Sequence, residues 1–139
     1  TGRLQLQLGY TENDEVLWIT SASDYNFNTE DFLGSSIRSG SYVGTGAFFA
    51  LGNTNSNYRY YDSELFGEID LWNNGDAQSS VQGLATLSYI RLASGSITNG
   101  SGLYSMFFKN SVQKIISSLR IYPDTGTLTG GRIRVYGIS

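Results

Sequence analysis

The residues that carry most enzyme chemistry are missing from this chain. It has 139 residues, no histidine and no cysteine. That removes Ser-His-Asp triads, imidazole acid/base steps, thiolate nucleophiles, disulfides and histidine- or thiolate-bound metals. Carboxylate chemistry, oxygen-ligated cations and binding without catalysis remain. One acidic cluster suits the first of these: Glu64, Glu68 and Asp70. Glu68 and Asp70 are two residues apart, so in a strand their carboxylates project side by side. A glycosidase needs two such groups, one to donate a proton and one as base or nucleophile. The competing reading is a charged strand facing solvent or a neighbouring subunit.

Oxygen ligation has a weaker candidate. Asn73, Asn74 and Asp76 surround Gly75 and could offer oxygens to Ca²⁺. The segment lacks EF-hand spacing and its bidentate glutamate. No metal and no other cofactor is expected. Ser94–Gly102 reads as a glycine-rich turn, but neither a lysine nor a helix follows, so it is not a phosphate loop.

Binding without catalysis has more residues behind it. The run Tyr58-Arg59-Tyr60-Tyr61-Asp62 places three phenol rings beside two opposite charges. A tyrosine ring offers a flat apolar face and a hydroxyl, which suits a sugar's C–H face and its hydroxyls. Arg59 and Asp62 would add charge-assisted hydrogen bonds. Tyr42, in an Asn- and Ser-rich region, and Trp72, which ends an alternating strand, complete the candidate glycan contacts. Tyrosines packed on a sheet or against another subunit would have the same composition.

These residues need a scaffold, and the scaffold reads as all-β. Seventeen glycines and one proline, with no long helical stripe, point to short strands and tight turns. Strands are expected at Arg3–Leu8, Val16–Thr20, Ala47–Leu51, Leu65–Trp72, Leu84–Ala93 and Leu103–Lys109. Leu4, Leu6 and Leu8 alternate with Gln5 and Gln7. Trp18 reads as core or sheet packing. Ser21–Gly46 is weakly patterned, with a short edge strand expected within Ser35–Val43. Eight to ten such strands bury their apolar faces best as an antiparallel two-sheet β-sandwich, jelly-roll-like, in one domain spanning residues 1–139. The abrupt start at Thr1-Gly2 suggests a domain cut from a longer chain.

The end of the chain is patterned on both sides of a Pro/Asp/Gly-rich connection. Leu119 and Ile121 alternate with Arg120 and Tyr122, and Ile133 and Val135 with Arg132, Arg134 and Tyr136. Two half-buried strands paired as a hairpin are expected, one side apolar and one basic and aromatic. Charge is uneven as well. Residues 1–100 carry eleven Asp/Glu against four Arg, and residues 101–139 five Lys/Arg against Asp124, giving −7 and +4 for a net −3. The acidic bulk disfavours nucleic acid. A basic terminal face could meet an acidic subunit, with the Glu64–Asp70 segment of a second copy as the candidate, or an anionic glycan; it could also be solvated.

The sequence Ile116-x-Ser118-Leu119-Arg120-Ile121-Tyr122, then Gly126–Gly131, then Arg132-Ile133-Arg134-Val135-Tyr136-Gly137-Ile138 resembles the closing motif of lectin-like β-sandwich domains in bacteriophage tail fibre and tailspike proteins. The runs Gly44–Asn57 before Tyr58, and Phe66–Asn74 before Ala77, are similar to that family too. The resemblance implies a C-terminal module of a longer fibre protein on the virion tail. It implies a homotrimer attached to the rest of the fibre, and a host-surface polysaccharide or lipopolysaccharide as receptor. It implies no catalytic motif, any enzyme lying upstream. Neither nucleic acid nor membrane insertion is expected. A purely structural trimerisation or capping domain is the alternative, and a carboxylate glycosidase a third reading.

Overall fold

The computed structural model describes residues 4–33, 36–43, 48–51, 65–73, 75–93 and 96–137. In chain order the strands are β1 (Leu4–Glu12), β2 (Glu15–Trp18), β3 (Tyr25–Leu33), β4 (Ser36–Val43), β5 (Phe49–Leu51), β6 (Leu65–Trp72), β7 (Val81–Ala93), β8 (Ser96–Phe108) and β9 (Ser118–Pro123). One 3-10 turn, Ala22–Asp24, precedes β3. All pairings are antiparallel. They form a four-stranded sheet around β1 and a five-stranded sheet ordered β4-β3-β8-β7-β6. The two sheets pack face to face, so the chain is an all-β two-sheet sandwich. Its jelly-roll character lies in nested pairs: β1 with β9 in one sheet, β3 with β8 in the other. The β6-β7-β8 meander is a local addition to that plan.

Strand β1 organises the smaller sheet. Leu4–Leu6 pair with β5 and β9 at once, so those two strands lie at opposite edges. β2 shares the β5 edge further along, joined to β1 by a two-residue turn. Asn13 and Asp14 both adopt positive φ, 51° and 62°, the conformation that matches strand twist in a tight hairpin. Leu6 and Leu8 point into the core with Phe49 and Leu51. From the other sheet come Tyr25, Phe27, Val81, Ala85, Leu87, Tyr104, Met106 and Phe108. Tyr25 bridges the layers, edge-on to Phe49 at 5.0 Å and to Phe108 at 4.9 Å. Gly67 lets β6 approach β7; a Cβ there would stand 2.2 Å from the Thr86 carbonyl oxygen and 2.6 Å from Leu87 Cδ2.

A gap in the β1 edge explains a buried hydroxyl. Between the stretches paired with β2 and β5, Leu8 has no partner in a described strand on that edge, and only its carbonyl meets main chain there, accepting the Ile19 N–H at 3.0 Å. The Leu8 N–H donates to the Tyr25 hydroxyl at 3.2 Å. That hydroxyl in turn donates to the Ile19 carbonyl at 3.0 Å. Burial, which disfavours phenolate, pushes the Tyr25 pKa up to about 12.

Several expectations need correction. The edge strand expected within Ser35–Val43 is present as β4, but the weakly patterned stretch before it also holds a strand, β3, and the two form a hairpin. Thr29 faces the core while Phe32 faces out, so the apolar alternation breaks midway. Ser96–Gly102 is strand rather than turn, the first half of β8. The closing hairpin does not form. β9 pairs with β1, and residues 124–137 contain no strand. Ile133 and Val135, expected on an apolar core side, are 64% and 75% exposed.

Candidate functional site

The β-pleat sends alternate residues of the five-stranded sheet outward, and register aligns them into rows. Asn26, Phe107, Gln82 and Trp72 form one row across β3, β8, β7 and β6. Next come Asn28, Ser105, Leu84 and Asp70, then Glu30, Leu103, Thr86 and Glu68. Phe32, Ser101, Ser88 and Phe66 form the fourth. Trp72 is 57% exposed, Phe107 43% and Phe66 68%, and Phe32, Leu84 and Leu103 are also exposed. Aromatic rows thus bound two rows of carboxylates, hydroxyls and aliphatic side chains. Exposed aromatics set among amides, hydroxyls and carboxylates make this face a candidate for binding a ligand that is itself part apolar and part polar.

This arrangement sorts the candidate residues. Trp72 belongs to the face, with Phe107 and Gln82 beside it, neither of which the sequence singled out. Phe107 hides in the run Leu103–Lys109, where register alone tells it from buried Phe108. Tyr42 lies in β4, its backbone opposite Phe27. Tyr58, Arg59, Tyr60, Tyr61, Asp62 and Glu64 lie outside the described residues.

The acidic residues are poorly placed for hydrolysis. Glu68 and Asp70 rise from one strand onto the same open face, whereas glycosidase carboxyls flank the bond they cleave. From Glu68 the carboxylate in the same row is Glu30, three strand spacings away, roughly 14 Å. Inverting enzymes need about 6.5–9.5 Å, a spacing that the pair Glu68 and Asp70, two strand residues or about 7 Å apart, meets only side by side on one strand. Among the described residues no group of three or more acidic side chains could hold a metal. Around Gly75, Asn73 Oδ1 accepts the Gly75 N–H at 3.1 Å, and Asp76 Oδ1 the Gln78 N–H at 2.9 Å. Those oxygens cap their own turn. Asn74 lies outside the described residues.

The outer face of the smaller sheet holds a second cluster, which the sequence showed only as alternation. Gln7, Arg120 and Trp18 share that face. The Arg120 guanidinium lies 4.5 Å from the Trp18 ring and 4.8 Å from the Tyr122 ring. Its Nε donates to Gln7 Oε1 at 2.8 Å, and Nη2 donates to the same oxygen. Gln7 Nε2 donates to the Ile19 carbonyl at 3.1 Å. Trp18 lies over Gly9, where a Cβ would stand 2.9 Å from the ring. Trp18 therefore packs on the sheet, outside the core. Arg120, expected on a face awaiting a partner, is satisfied within its own chain.

Loops at one end of the sandwich are held by two buried polar residues. Asp24 Oδ2 accepts the Ser111 hydroxyl at 2.7 Å and its N–H at 3.1 Å. Asn110, at φ 57°, donates to the carbonyls of Ala77, Ser79 and Lys114, each at 3.0 Å. These contacts anchor the segment that leads into β9.

No protein-family model, curated protein or solved structure matches the chain. Function therefore rests on the geometry.

Proposed function

We propose that this chain is a non-catalytic carbohydrate-binding module, with the outer face of the five-stranded sheet as its ligand surface. It acts as the receptor-recognition domain of a phage tail fibre or tailspike, trimeric, on the virion tail. The observation that carries the binding reading is the row Asn26–Phe107–Gln82–Trp72, two exposed aromatics interleaved with two amides. Rings stack on the C–H faces of a sugar and amides bond its hydroxyls. The fibre context rests on the resemblance of the closing sequence alone.

Charge narrows the ligand. The four rows carry Glu30, Glu68 and Asp70 and no cation. At about 6 Å in water each carboxylate repels an anionic group by about 0.7 kcal/mol. Glu30 stands roughly 14 Å from Glu68, so one anionic group meets at most the Glu68–Asp70 pair, at a cost of about 1.4 kcal/mol, roughly tenfold in Kd. A neutral polysaccharide, or a neutral portion of lipopolysaccharide, is therefore favoured over an acidic one.

The test is a glycan array followed by calorimetry on the parent chain, Trp72→Ala and Phe107→Ala. Losing either ring should weaken binding about 5- to 30-fold, or about 1–2 kcal/mol. Binding that survives both substitutions removes this face. An array with no neutral-glycan hit removes the function. The structural trimerisation reading has its own support in the exposed terminal segment.

A further inference from the structure

We propose that residues 131–137 add a strand to the free edge of β6 in a second copy of this chain. The inference rests on the assembly part of the reading above and is independent of its glycan part.

Arg132-Ile133-Arg134-Val135-Tyr136 has the period-two pattern of a strand with one apolar side, yet the segment belongs to no sheet. Ile133 is 64% exposed, and Val135 and Tyr136 are 75% exposed. Arg132, Arg134 and Tyr136 make no hydrogen bond, ion pair or ring contact with a described residue. A segment with unsatisfied main chain and an uncovered apolar side is suited to β-augmentation.

The β6 edge has the complementary features. β6 ends the order β4-β3-β8-β7-β6, and no described strand pairs with its other side. Glu68 and Asp70 point outward from it, with the two-residue spacing of Arg132 and Arg134. Ile69 and Leu71 point inward but are only partly buried, leaving apolar area for Ile133 and Val135 to cover. An antiparallel register with Arg132 opposite Asp70 places Ile133 opposite Ile69 and Arg134 opposite Glu68. It places Tyr136 opposite Phe66, extending the aromatic face. The free edge of β9 is a poorer acceptor, because Arg120 on that strand has the same charge sign as the donor.

Donor and acceptor are different surfaces, so each copy gives one strand and receives one. Such contacts close as a ring where the rotation between copies returns on itself and run on as a filament where it does not. Three copies would give the proposed trimer.

Sedimentation velocity over a dilution series tests this with the full chain, Arg132→Glu/Arg134→Glu, and Glu68→Arg/Asp70→Arg. The parent should assemble beyond a monomer. Each reversed variant alone should dissociate at least tenfold more readily, and an equimolar mixture of the two should recover assembly. Because the substituted side chains are exposed or partly exposed, unfolding temperature should stay near the parent's, which checks the monomer fold. Ile133→Pro, which removes a main-chain donor in an exposed segment, should also weaken assembly. A parent that stays monomeric overturns the proposal, as does a charge-reversed variant that assembles like the parent. A monomer that still binds glycan would leave the binding face standing and remove only the strand addition.

Discussion

Tyr25→Phe removes one oxygen and tests how the gap in β1 is closed. The ring should stay in place, held by Phe49 and Phe108, so the effect is polar. Three main-chain groups surround the hydroxyl, but they do not lose equally. The Ile19 carbonyl keeps the Gln7 amide at 3.1 Å, and the Leu8 carbonyl keeps the Ile19 N–H at 3.0 Å. Only the Leu8 N–H, in a residue that is 1% exposed, loses its partner. One buried unsatisfied donor costs about 1–3 kcal/mol, or on the order of 4–12 °C in Tm for a chain of this size. The pH dependence follows from the raised pKa, about 12 against the ordinary 10. Stability from a neutral Tyr25 is complete below pH 10 and is lost as pH rises through 12. The change is up to about 3 kcal/mol. The parent's advantage over the variant should therefore shrink between pH 10 and 12. Urea unfolding followed by tryptophan fluorescence, at intervals from pH 7 to 11.5, measures both effects. Equal stability at pH 7, or a difference independent of pH up to 11.5, would refute the reasoning.

Asn110→Ala should cost about 2–4 kcal/mol in denaturant unfolding, through lost carbonyl contacts and a strained φ; Asn110→Gly should cost about 1 kcal/mol less, because glycine tolerates that φ. Gly67→Ala should cost about 3 kcal/mol or more, because its methyl would meet the Thr86 main-chain carbonyl and force β6 away from β7, read as a drop in Tm. Arg120→Met should cost about 1–3 kcal/mol and shift Trp18 fluorescence, since it removes the cation from the Trp18–Tyr122 stack and two donors from Gln7. Trp72→Ala should leave unfolding stability within about 0.5 kcal/mol of the parent's in denaturant titration, because the ring is on the surface.

Period-two patterning alone determined much of this protein. Leu4, Leu6 and Leu8 announce the core face of β1, and Ile69 and Leu71 that of β6, because a strand half-buried in an antiparallel sheet must alternate. The absence of histidine and cysteine narrowed the chemistry before any coordinate was known. Partner choice was beyond the reach of pattern. Residues 118–123 and 131–137 both alternate, and adjacency in sequence favours a hairpin between them. The first instead completes β1, more than a hundred residues away, where Leu6 and Leu8 need covering. Likewise Trp72, Gln82 and Phe107 come from three strands, and only the register of β6, β7 and β8 sets them in one row. Side-chain period is local and is written along the chain. Register and strand order depend on which faces can be buried together, and that is decided only when the two sheets close.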